Sequence, residues 1–398
     1  MDVIDTLQAR GFVKSYTDLE ALRSELSSGS TPFYVGFDPT GSSLHVGHLL
    51  PVMAMAHMQR AGHRPIVVLG GGTAMVGDPS GKDKTREILT PERIQSNLVS
   101  MREQFGRFLD LDGAEVVDNA EWLLGLGYID FLRDVGRHFS VNKMMSAEGI
   151  KQRLDRNQGL SFIEFNYHLL QSYDFLVLHD RYGCSLQMGG DDQWFNILGG
   201  VELIRRERQQ AAHALTHPLL QTADGKKMGK TEKGAVWLDP SLCSPYDYFQ
   251  YWVNVHDDDV GRFLRLYTFM PIDAIAELEA LEGAAIRDAK AVLAFEATKL
   301  AHGESEASKA RDAAKAAFSG GISVDMPSAG VVFPIGILDA LVASGLCSSK
   351  GDARRQIQQG AVRTGARRDE QVTQTDATVS EETVLWRGKK NCVRLVSE

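Results

Sequence analysis

Long uninterrupted apolar runs are missing from this 398-residue chain, and none approaches the length of a membrane span. Cysteine is scarce, with only Cys184, Cys243, Cys347 and Cys392 in the chain. These four residues are far apart and form no Cys-x-x-Cys pair. That spacing argues against a zinc site and against a disulfide framework, and it fits a reducing compartment. The acidic N-terminus also lacks a signal-peptide pattern. We therefore predict a cytoplasmic protein that does not contact a membrane.

Positive charge is in short supply as well, with 43 Lys and Arg against 52 Asp and Glu, a formal net charge of −9. A chain with this balance is not by itself typical of a nucleic-acid binder. The balance is uneven, however, because residues 333–398 hold ten basic and eight acidic side chains. The C-terminal segment is therefore the better candidate for contact with a polyanion.

The order of predicted elements favours a parallel sheet. A helical stretch over residues 1–30 precedes an apolar strand at Phe33–Phe37, a helix, and a second strand at Pro65–Leu69. Strand, helix and strand in this order form a βαβ unit, which builds parallel sheets. Residues 91–140 have helical periodicity, and Cys184–Met188 is typical of another short strand. The predicted fold class is α/β with a Rossmann-like sheet.

Changes in composition divide the chain into further parts. The Rossmann-like domain is predicted to span residues 1–232. Alanine and leucine with helical periodicity then predict a helical domain over 233–320. Residues 321–332 form a predicted linker, and residues 333–398 form a small α+β domain. Apolar residues make up 43% of the chain, enough to supply a core for each part.

One segment, Phe33–His48, combines a strand, a turn rich in Asp, Pro, Gly and Ser, and the start of a helix. His45 and His48 lie three positions apart, which places both rings on one face of a helix. Gly47 between them leaves the backbone open to a ligand. Helix N-termini suit phosphate, and two imidazoles there would stabilise phosphate charge as it grows during a reaction. The alternative is a glycine-rich turn with two surface histidines.

Polar residues follow two of the predicted strands. The glycine-rich segment 70–81 exposes Asp78 and leads into basic residues, and Asp192 follows the strand at Cys184–Met188. An acidic residue at such a strand–helix turn is placed to bind ribose hydroxyls. The loop 223–231 carries three lysines and could close on a triphosphate. Solvated charged loops are the alternative for both basic segments.

A polar stripe is predicted on the helix around residues 162–175. Tyr167, Gln171 and Asp174 fall at positions i, i+4 and i+7, which share one helix face. A stripe at that spacing is normally apolar core, but this one carries a phenol, an amide and a carboxylate. We therefore expect it to line a polar pocket, although three ordinary surface residues would give the same pattern.

Two of these motifs together resemble a known family. His45-Val-Gly-His48 resembles the HIGH motif of class I aminoacyl-tRNA synthetases, and Lys227-Met-Gly-Lys-Thr231 resembles their KMSKS loop, with Gly229 in place of Ser. Tyr34–Thr40, Gly77–Lys82, Leu170–Asp174 and Gln187–Trp194 look like bacterial tyrosyl-tRNA synthetases specifically. The C-terminal domain resembles the S4 RNA-binding fold, and the resemblance covers essentially the whole chain.

The resemblance implies ATP-dependent activation of L-tyrosine to tyrosyl-adenylate, release of diphosphate, and transfer of tyrosine to the 3′ end of tRNA(Tyr). Mg²⁺ would accompany ATP, and no separate protein metal site is expected. The helical domain would be of the anticodon-binding type. The family is homodimeric, and residues 128–145 have a pattern compatible with subunit packing. No role is assigned to Lys84, Val35 or Pro51.

By matching position, the resemblance assigns four sets of residues. The catalytic set, which would stabilise the reacting phosphate and the leaving diphosphate, comprises His45, His48, Lys82, Arg86, Lys227, Lys230 and Thr231. The tyrosine-binding set comprises Tyr34, Asp78, Tyr167, Gln171, Asp174, Gln187 and Gln193. The ATP-binding set comprises Gly36, Asp38, Thr40, Gly47, Gly190, Asp192 and Lys230. The tRNA-binding set comprises Arg354, Arg355, Arg363, Arg367 and Arg368.

Three other functions fit parts of the sequence. A tryptophanyl relative is disfavoured by the pair Tyr34 and Asp174, because an indole has no hydroxyl for them to bind. A nucleotidylyltransferase of the HxGH type would not need a helical domain and an S4-like tail. An RNA-binding protein with an inactive synthetase body would not need the intact histidine pair and lysine loop.

Overall fold

The computed structural model describes residues 2–78, 90–157, 159–225, 228–231, 234–319, 327–365, 368–388 and 391–398, with backbone alone at 230, 231 and 317–319. The chain forms two compact units, Met1–Leu242 with His256–Ala289, and Cys243–Val255 with Lys290–Glu398. The domain boundaries expected near residues 232, 320 and 332 stay a prediction. Within the described ranges, no helix has both the length and the apolar character needed to span a membrane.

The first unit alternates strands and helices. Its elements up to the second strand are α1 Val3–Arg10, α2 Leu19–Ser28, β1 Pro32–Phe37, α3 Leu49–Arg60 and β2 Arg64–Leu69. Those up to the long helix are α4 Pro91–Phe105, β3 Glu115–Asp118, α5 Ala120–Leu123, α6 Tyr128–Asp134, α7 Val141–Met145, α8 Glu148–Asp155 and α9 Phe162–Tyr182. The rest of its sheet region is β4 Leu186–Gly190, α10 Trp194–Arg208, β5 His213–His217, β6 Lys230–Thr231 and β7 Gly234–Ala235.

The remaining elements complete both units. The helices are α11 Pro245–Val253, α12 Val260–Tyr267, α13 Ile272–Glu279, α14 Ile286–His302, α15 Glu304–Ser319, α16 Ile337–Ala343 and α17 Lys350–Gln358. The strands are β8 Ser328–Val331, β9 Ile335–Gly336, β10 Val362–Thr364, β11 Glu370–Gln371, β12 Thr378–Val379, β13 Thr383–Arg387 and β14 Asn391–Ser397.

The main sheet is parallel, in the order β3-β2-β1-β4-β5. Its central strand β1 has the apolar sequence Pro-Phe-Tyr-Val-Gly-Phe, as expected of a strand covered on both faces. Tyr34 of β1 pairs with Gln187 of β4 in register. The strand order reverses between β1 and β4, and ligands of open α/β sheets bind at the carboxyl ends of strands beside such a reversal. The predicted Rossmann-like sheet is confirmed.

Two local predictions in this unit are wrong. The stretch 91–140, predicted to be helical, contains the edge strand β3, which pairs in parallel with β2. The helical stretch 1–30 is divided into α1 and α2, because Gly11 adopts φ +88° and ends α1. Left-handed backbone at that position closes a helix and is most easily adopted by glycine.

The second unit contains helices and a smaller sheet of order β11-β10-β13-β14-β8, in which only the β14–β8 pair is parallel. One face packs on α16 and α17 through a core that includes Leu341, Ile357 and Leu385. The other face is covered by α11 and α15, with Tyr246 and Ala313 in one cluster with the strand residues Val384, Trp386 and Cys392. The predicted small α+β C-terminal domain is confirmed.

Candidate active site

A cavity of about 290 Å³ opens at the carboxyl ends of the central strands of the main sheet. The residues from the predicted sets that line it are Tyr34, Gly36, Asp38, Thr40, His45, His48, Asp78, Tyr167, Gln171, Asp174, Gln187, Gly190 and Gln193. Lining residues with no predicted role are Val35, Phe37, Pro51, Val68, Gly70, Thr73, Asn119, Met188 and Gly189. Strands far apart in sequence thus bring the predicted tyrosine-binding and ATP-binding residues together in one cavity.

Tyr34 is almost fully buried in β1, and its ring packs edge-on against Phe175 of α9 with 5.2 Å between centroids. Its hydroxyl oxygen has no hydrogen-bond partner in the part of the chain that the structure describes. Burial and the nearby carboxylate of Asp174 raise the pKa of this hydroxyl well above its ordinary value, so it stays protonated. A buried hydroxyl without a partner is costly, and here it borders a cavity that can admit one.

Asp174 is buried beside Tyr34, and each of its carboxylate oxygens accepts one hydrogen bond. Trp122 Nε1 donates to Oδ1 at 2.7 Å, and Asn119 Nδ2 donates to Oδ2 at 2.9 Å. Burial raises the pKa of Asp174 to about 7, and the carboxylates of Asp38 and Asp118 add to the rise while the two hydrogen bonds oppose it. The carboxylate is therefore held in a fixed orientation at the edge of the cavity.

Asn119 and Trp122 are functional residues that the sequence reasoning missed. Both lie just after β3, the edge strand that was predicted to be helix. Asn119 also accepts a hydrogen bond from Gly72 N at 2.8 Å, so it ties the ends of β2 and β3 together. The sequence signal for Asn119 is a polar residue directly after a short strand that contains two valines. That signal is useful only once β3 is recognised as a strand.

The polar stripe on α9 faces the cavity along its whole length. The helix begins with a capping box in which Ser161 accepts from Glu164 N and the Glu164 carboxylate accepts from Ser161 N. Tyr167 donates to both carboxylate oxygens of Asp38 at 3.4 Å. Gln171, half-buried, lies one turn further along the helix. The predicted i, i+4, i+7 spacing therefore does line a polar pocket.

Two glutamines and Asp78 occupy the wall of the cavity nearest β4. Gln193 Nε2 donates to Asp78 Oδ2 at 2.9 Å. Gln187 is 2% exposed, and its side-chain oxygen has no hydrogen-bond partner among the described residues. Since Gln187 pairs with Tyr34 across the sheet, two unpartnered polar atoms lie on neighbouring strands of the same cavity.

The two histidines belong to a single 3₁₀ turn, Val46–His48, which leads into α3. His45 is the N-cap of this turn and His48 is its last residue. His48 Nδ1 accepts from His45 N at 3.2 Å, and His45 Nδ1 accepts from Gly47 N at 3.0 Å. Because both Nδ1 atoms accept from backbone N–H groups, the proton of each neutral imidazole lies on Nε2. The rings stack with 3.9 Å between centroids. The turn therefore presents two parallel imidazoles, each with its Nε2–H as a donor.

Gly47 and Gly229 allow the lysine loop to lie against this turn. A Cβ on Gly47 would lie 2.8 Å from the His45 ring, so glycine leaves room for that ring. The predicted contact of Gly47 with ATP stays a prediction. Gly229 has φ +76°, and a Cβ there would lie 2.8 Å from Gly47 N. The residue directly after β7 continues the contact, since Val46 N donates to Val236 O at 2.9 Å. The loop backbone is thus in direct contact with the histidine turn.

Several predicted catalytic residues cannot be placed. Lys82, Arg86 and Lys227 lie outside the described residues. Lys230 and Thr231 are described in backbone only, as the strand β6 paired with β7. Their roles stay predictions.

The predicted ATP-binding residues are divided between the cavity and its surroundings. A Cβ on Gly36 would meet no atom within 4 Å, so a side chain there would fill cavity space. Asp192 is exposed and does not line the cavity itself. Its neighbour Asp191 accepts from Ser15 Oγ at 2.8 Å and from Thr216 Oγ1 at 2.6 Å, which gives it a structural role. Asp192 is the more exposed carboxylate of this pair, and it is hydrogen-bonded with the Gln193 side chain.

In the second unit, the predicted tRNA-binding arginines differ in their surroundings. Arg354 and Arg355 on α17 are exposed, and Arg355 pairs with Asp352 at 2.6 Å. Arg363 donates to Arg368 O at 3.3 Å, and the Arg368 guanidinium lies over the Trp386 ring at 5.7 Å from its centroid. Arg367 lies outside the described residues. The α17 pair is therefore the better placed for a polyanion.

Comparison with known proteins identifies the family. A family model described as "tRNA synthetases class I (W and Y)" matches residues 27–319, and one described as "Tyrosine--tRNA ligase SYY-like C-terminal domain" matches residues 318–395. A tyrosine–tRNA ligase of Clostridium tetani is 49% identical over 100% of this chain and 99% of that protein. One of Clostridium botulinum (strain Alaska E43 / Type E3) is 51% identical over 98% of each.

A solved structure gives the same answer for the fold. The C-terminally truncated mitochondrial tyrosyl-tRNA synthetase of Aspergillus nidulans superposes with a TM-score of 0.69 at 29% identity, covering 78% of this chain and 92% of that chain. The sequence motifs, the parallel sheet with its cavity, and relatives that match over the full length all agree. The chain therefore belongs to the tyrosine–tRNA ligase family, within the class I tRNA synthetases.

Proposed function

We propose that the cavity at the carboxyl ends of β1 and β4 binds L-tyrosine with its phenol against Tyr34 and Asp174, and activates it with ATP. The observation that carries this proposal is the pair formed by a buried, unpartnered Tyr34 hydroxyl and an oriented Asp174 carboxylate. A phenol hydroxyl can accept from the first group and donate to the second. A phenylalanine side chain would leave both without a partner, which disfavours its binding.

Other residues that line the cavity suit the amino acid's charged end. Asp78 supplies a carboxylate for the α-ammonium group, and Tyr167 and Gln171 add polar atoms on the facing helix α9. Gln187, with its unpartnered side-chain oxygen, and Gln193 lie on the β4 side. The separation of a phenol-binding end from an ammonium-binding end fixes the direction of tyrosine, and therefore where its carboxylate lies.

The activation step needs no general base, because the tyrosine carboxylate is already an anion. One of its oxygens forms a bond to the α-phosphorus of ATP, and the bond from that phosphorus to the diphosphate oxygen breaks. Negative charge grows on the phosphate oxygens and on the diphosphate. The Nε2–H donors of His45 and His48 are oriented before the reaction by their backbone hydrogen bonds, so stabilising this charge requires little reorganisation.

Transfer then uses the same cavity. A hydroxyl at the 3′ end of tRNA attacks the carbonyl carbon of tyrosyl-adenylate, and AMP leaves. The contact between the lysine loop and the histidine turn supports a role for this loop in covering the phosphates during activation, since Gly229 lies directly against Gly47. Lys227, Lys230 and Thr231 would bring their groups to the diphosphate.

Mg²⁺ would arrive with ATP. Within the described ranges, no three His, Cys, Asp or Glu side chains converge into a group able to hold a metal ion. We therefore propose that the phosphates and water supply its ligands, as is usual for Mg²⁺ with nucleotides. Its contribution is to offset phosphate charge.

The test of the amino-acid assignment is ATP–diphosphate exchange with each of the twenty amino acids. We expect stimulation by tyrosine, and Asp174→Asn should reduce the preference for tyrosine over phenylalanine while leaving the KM for ATP unchanged. Stimulation by tryptophan without tyrosine would refute the proposal. Nucleotide transfer to a small phosphate ester without tRNA charging would also refute it, in favour of a nucleotidylyltransferase.

We propose that the exposed pair Arg354 and Arg355 on α17 contacts the tRNA phosphates. Neutralising both with Gln should raise the KM for tRNA and reduce its dependence on salt concentration, because fewer counterions are released on binding. Tyrosine-dependent exchange should be nearly unchanged, since it does not involve tRNA. Equal losses in both assays would refute this division of roles.

We further propose a cytoplasmic homodimer. The segment 124–145 exposes large apolar side chains, among them Leu124, Tyr128, Ile129 and Val141, each more than 60% exposed. An apolar surface of this kind is typical of subunit interfaces. Sedimentation should give twice the chain mass of 43.8 kDa, and Ile129→Asp should shift the protein toward monomer. A monomeric parent protein at assay concentrations would refute the dimer.

A further inference from the structure

A row of hydrogen-bonded polar side chains connects Asp78 to Asn196 and His168, two buried residues that do not line the cavity. Gln193 Nε2 donates to Asp78 Oδ2 at 2.9 Å, and Asn196 Nδ2 donates to Gln193 Oε1 at 3.3 Å. Asn196 Oδ1 lies 3.2 Å from His168 Nδ1. Asn196 and His168 are 7% and 6% exposed, so solvent does not replace these contacts.

The direction of every hydrogen bond in this row follows from the carboxylate of Asp78, where the row begins. A carboxylate can only accept, so Gln193 must turn its amide nitrogen to Asp78 and its oxygen to Asn196. Asn196 must then turn its nitrogen to Gln193 and its oxygen to His168. Since an amide oxygen only accepts, the hydrogen bond between Asn196 Oδ1 and His168 Nδ1 needs a proton on Nδ1, which leaves Nε2 unprotonated in the neutral ring.

The residues packed around His168 fix the position of its ring. Its ring stacks on Phe195 with 4.3 Å between centroids and meets Phe139 edge-on at 5.2 Å. Gly199 on α10 makes room, because a Cβ there would lie 2.4 Å from the ring. Burial lowers the pKa of His168 to about 4, while its bond to Asn196 opposes that shift and Lys143 adds to it. The imidazole is therefore neutral near pH 7, and its single N–H proton lies on either Nδ1 or Nε2.

We propose that His168 and Asn196 are positioning residues for tyrosine binding, which fix Gln193 in the orientation that presents Asp78 to the α-ammonium group. Neither residue lines the tyrosine cavity, and neither belongs to a predicted site. Their effect is transmitted through three hydrogen bonds that all point the same way. The proposal rests on the proposed binding of the ammonium group by Asp78.

The central test is Asn196→Asp, which is nearly isosteric but replaces the donor that faces Gln193 with an acceptor. Gln193 then has a carboxylate on each side, and its amide nitrogen cannot face both, so its hydrogen bond to Asp78 should be weakened. We expect the KM for tyrosine in ATP–diphosphate exchange to rise about tenfold, the loss of one buried hydrogen bond, with kcat and the KM for ATP within about twofold of the parent. An unchanged KM for tyrosine in a folded variant would overturn the proposal.

Binding of 3-(4-hydroxyphenyl)propionate, which lacks the α-ammonium group, separates this idea from the proposed function. The parent protein should bind tyrosine more tightly than this analogue, and equal binding would overturn the placement of the ammonium group at Asp78. Asn196→Asp should weaken tyrosine but not the analogue. Equal weakening of both would mean that Asn196 only supports the fold, and would overturn the positioning role alone.

Variants of His168 supply the matched control. His168→Asn keeps an N–H near the Nδ1 position, whereas His168→Leu removes it, so the first should retain more tyrosine affinity than the second at similar thermal stability. If these variants fail to fold, ¹⁵N-histidine NMR of the parent protein still decides. We expect the Nδ1-protonated tautomer, with a shift that changes on adding tyrosine and not on adding the analogue. An Nε2-protonated tautomer would refute the hydrogen-bond order.

Discussion

Replacing Tyr34 with Phe removes one oxygen atom, and its surroundings predict opposite effects on stability and on tyrosine binding. Without substrate, the buried hydroxyl has no partner among the described residues. Burying a hydroxyl in this way costs roughly 1–3 kcal/mol. We therefore expect Tyr34→Phe to raise the free energy of unfolding by on the order of 1 kcal/mol, although most substitutions of buried residues lower it.

Tyrosine binding should change in the other direction. When the substrate's phenol provides a partner, the hydrogen bond to Tyr34 contributes about 0.5–1.5 kcal/mol, so Tyr34→Phe should weaken tyrosine binding roughly 2- to 13-fold. Phenylalanine has no hydroxyl and should bind no worse, so the preference for tyrosine over phenylalanine falls by the same factor. Urea denaturation without substrate and calorimetric titration with each amino acid measure the two effects.

Tyr167→Phe is the matched control, because the Tyr167 hydroxyl already donates to Asp38. Its removal should leave stability unchanged or lower it, and should not raise it. A Tyr34→Phe protein that is less stable than the parent and binds tyrosine equally well would refute the reasoning. That result would mean that the hydroxyl is satisfied without substrate and does not contact the phenol.

Three other predictions concern the same unit. Trp122→Phe removes a hydrogen-bond donor to Asp174, so the pKa of that carboxyl should rise above about 7. Tyrosine binding needs the carboxylate, so on lowering the pH the variant should lose tyrosine affinity at a higher pH than the parent protein does. Gly229→Ala should disfavour the loop contact with Gly47 by about 1–2 kcal/mol, since alanine resists a φ of +76°, and should slow adenylate formation roughly 5- to 30-fold. Burial lowers the pKa values of His57, His168 and His217 to about 3 or 4, so these side chains are neutral in the folded protein near pH 7. As the pH falls from about 6.5 to 4, the free energy of unfolding should therefore fall by on the order of 3 kcal/mol for each of them.

Each of these has a direct measurement. Tyrosine dissociation constants across pH, compared with the parent, test Trp122→Phe, and superimposable pH profiles would contradict it. Stopped-flow rates of adenylate formation test Gly229→Ala, and a parental rate would show that the loop contact does not matter. Urea denaturation from about pH 7 to pH 4 tests the histidines, whose stabilising effect is present above their unfolded pKa and is lost as the pH falls. A flat profile would contradict that assignment.

Motifs of one short segment were the most predictable from the sequence. Tyr34, His45 and His48 lie on a strand, a turn and a helix start that local composition indicates clearly, and the structure has β1 and α3 at those places. The stripe on α9 was predictable because helical periodicity alone puts Tyr167 and Asp174 on one face. These are local regularities, which a sequence carries without knowledge of the tertiary fold.

Contacts that depend on strand pairing were not predictable in the same way. β3 has four residues and lies at the sheet edge, so its pattern is too short to distinguish from the helices around it. Asn119 and Trp122 were missed as a consequence. The orientation of the histidine rings depends on backbone N–H groups of a 3₁₀ turn, and the glycines at 47 and 229 matter because two distant segments meet. Neither relation has a signature in local sequence.

The strand β13 has a consequence for synthesis on the ribosome. Its consecutive residues Val384, Leu385 and Trp386 are buried on alternate faces of the sheet, and the face with Val384 and Trp386 is covered by Tyr246 of α11 and by α15. Those helices are translated before β13, which begins more than 60 residues after the end of α15. This strand therefore cannot cover their apolar surface until it has left the ribosome, and chaperone contact has its greatest value in that interval.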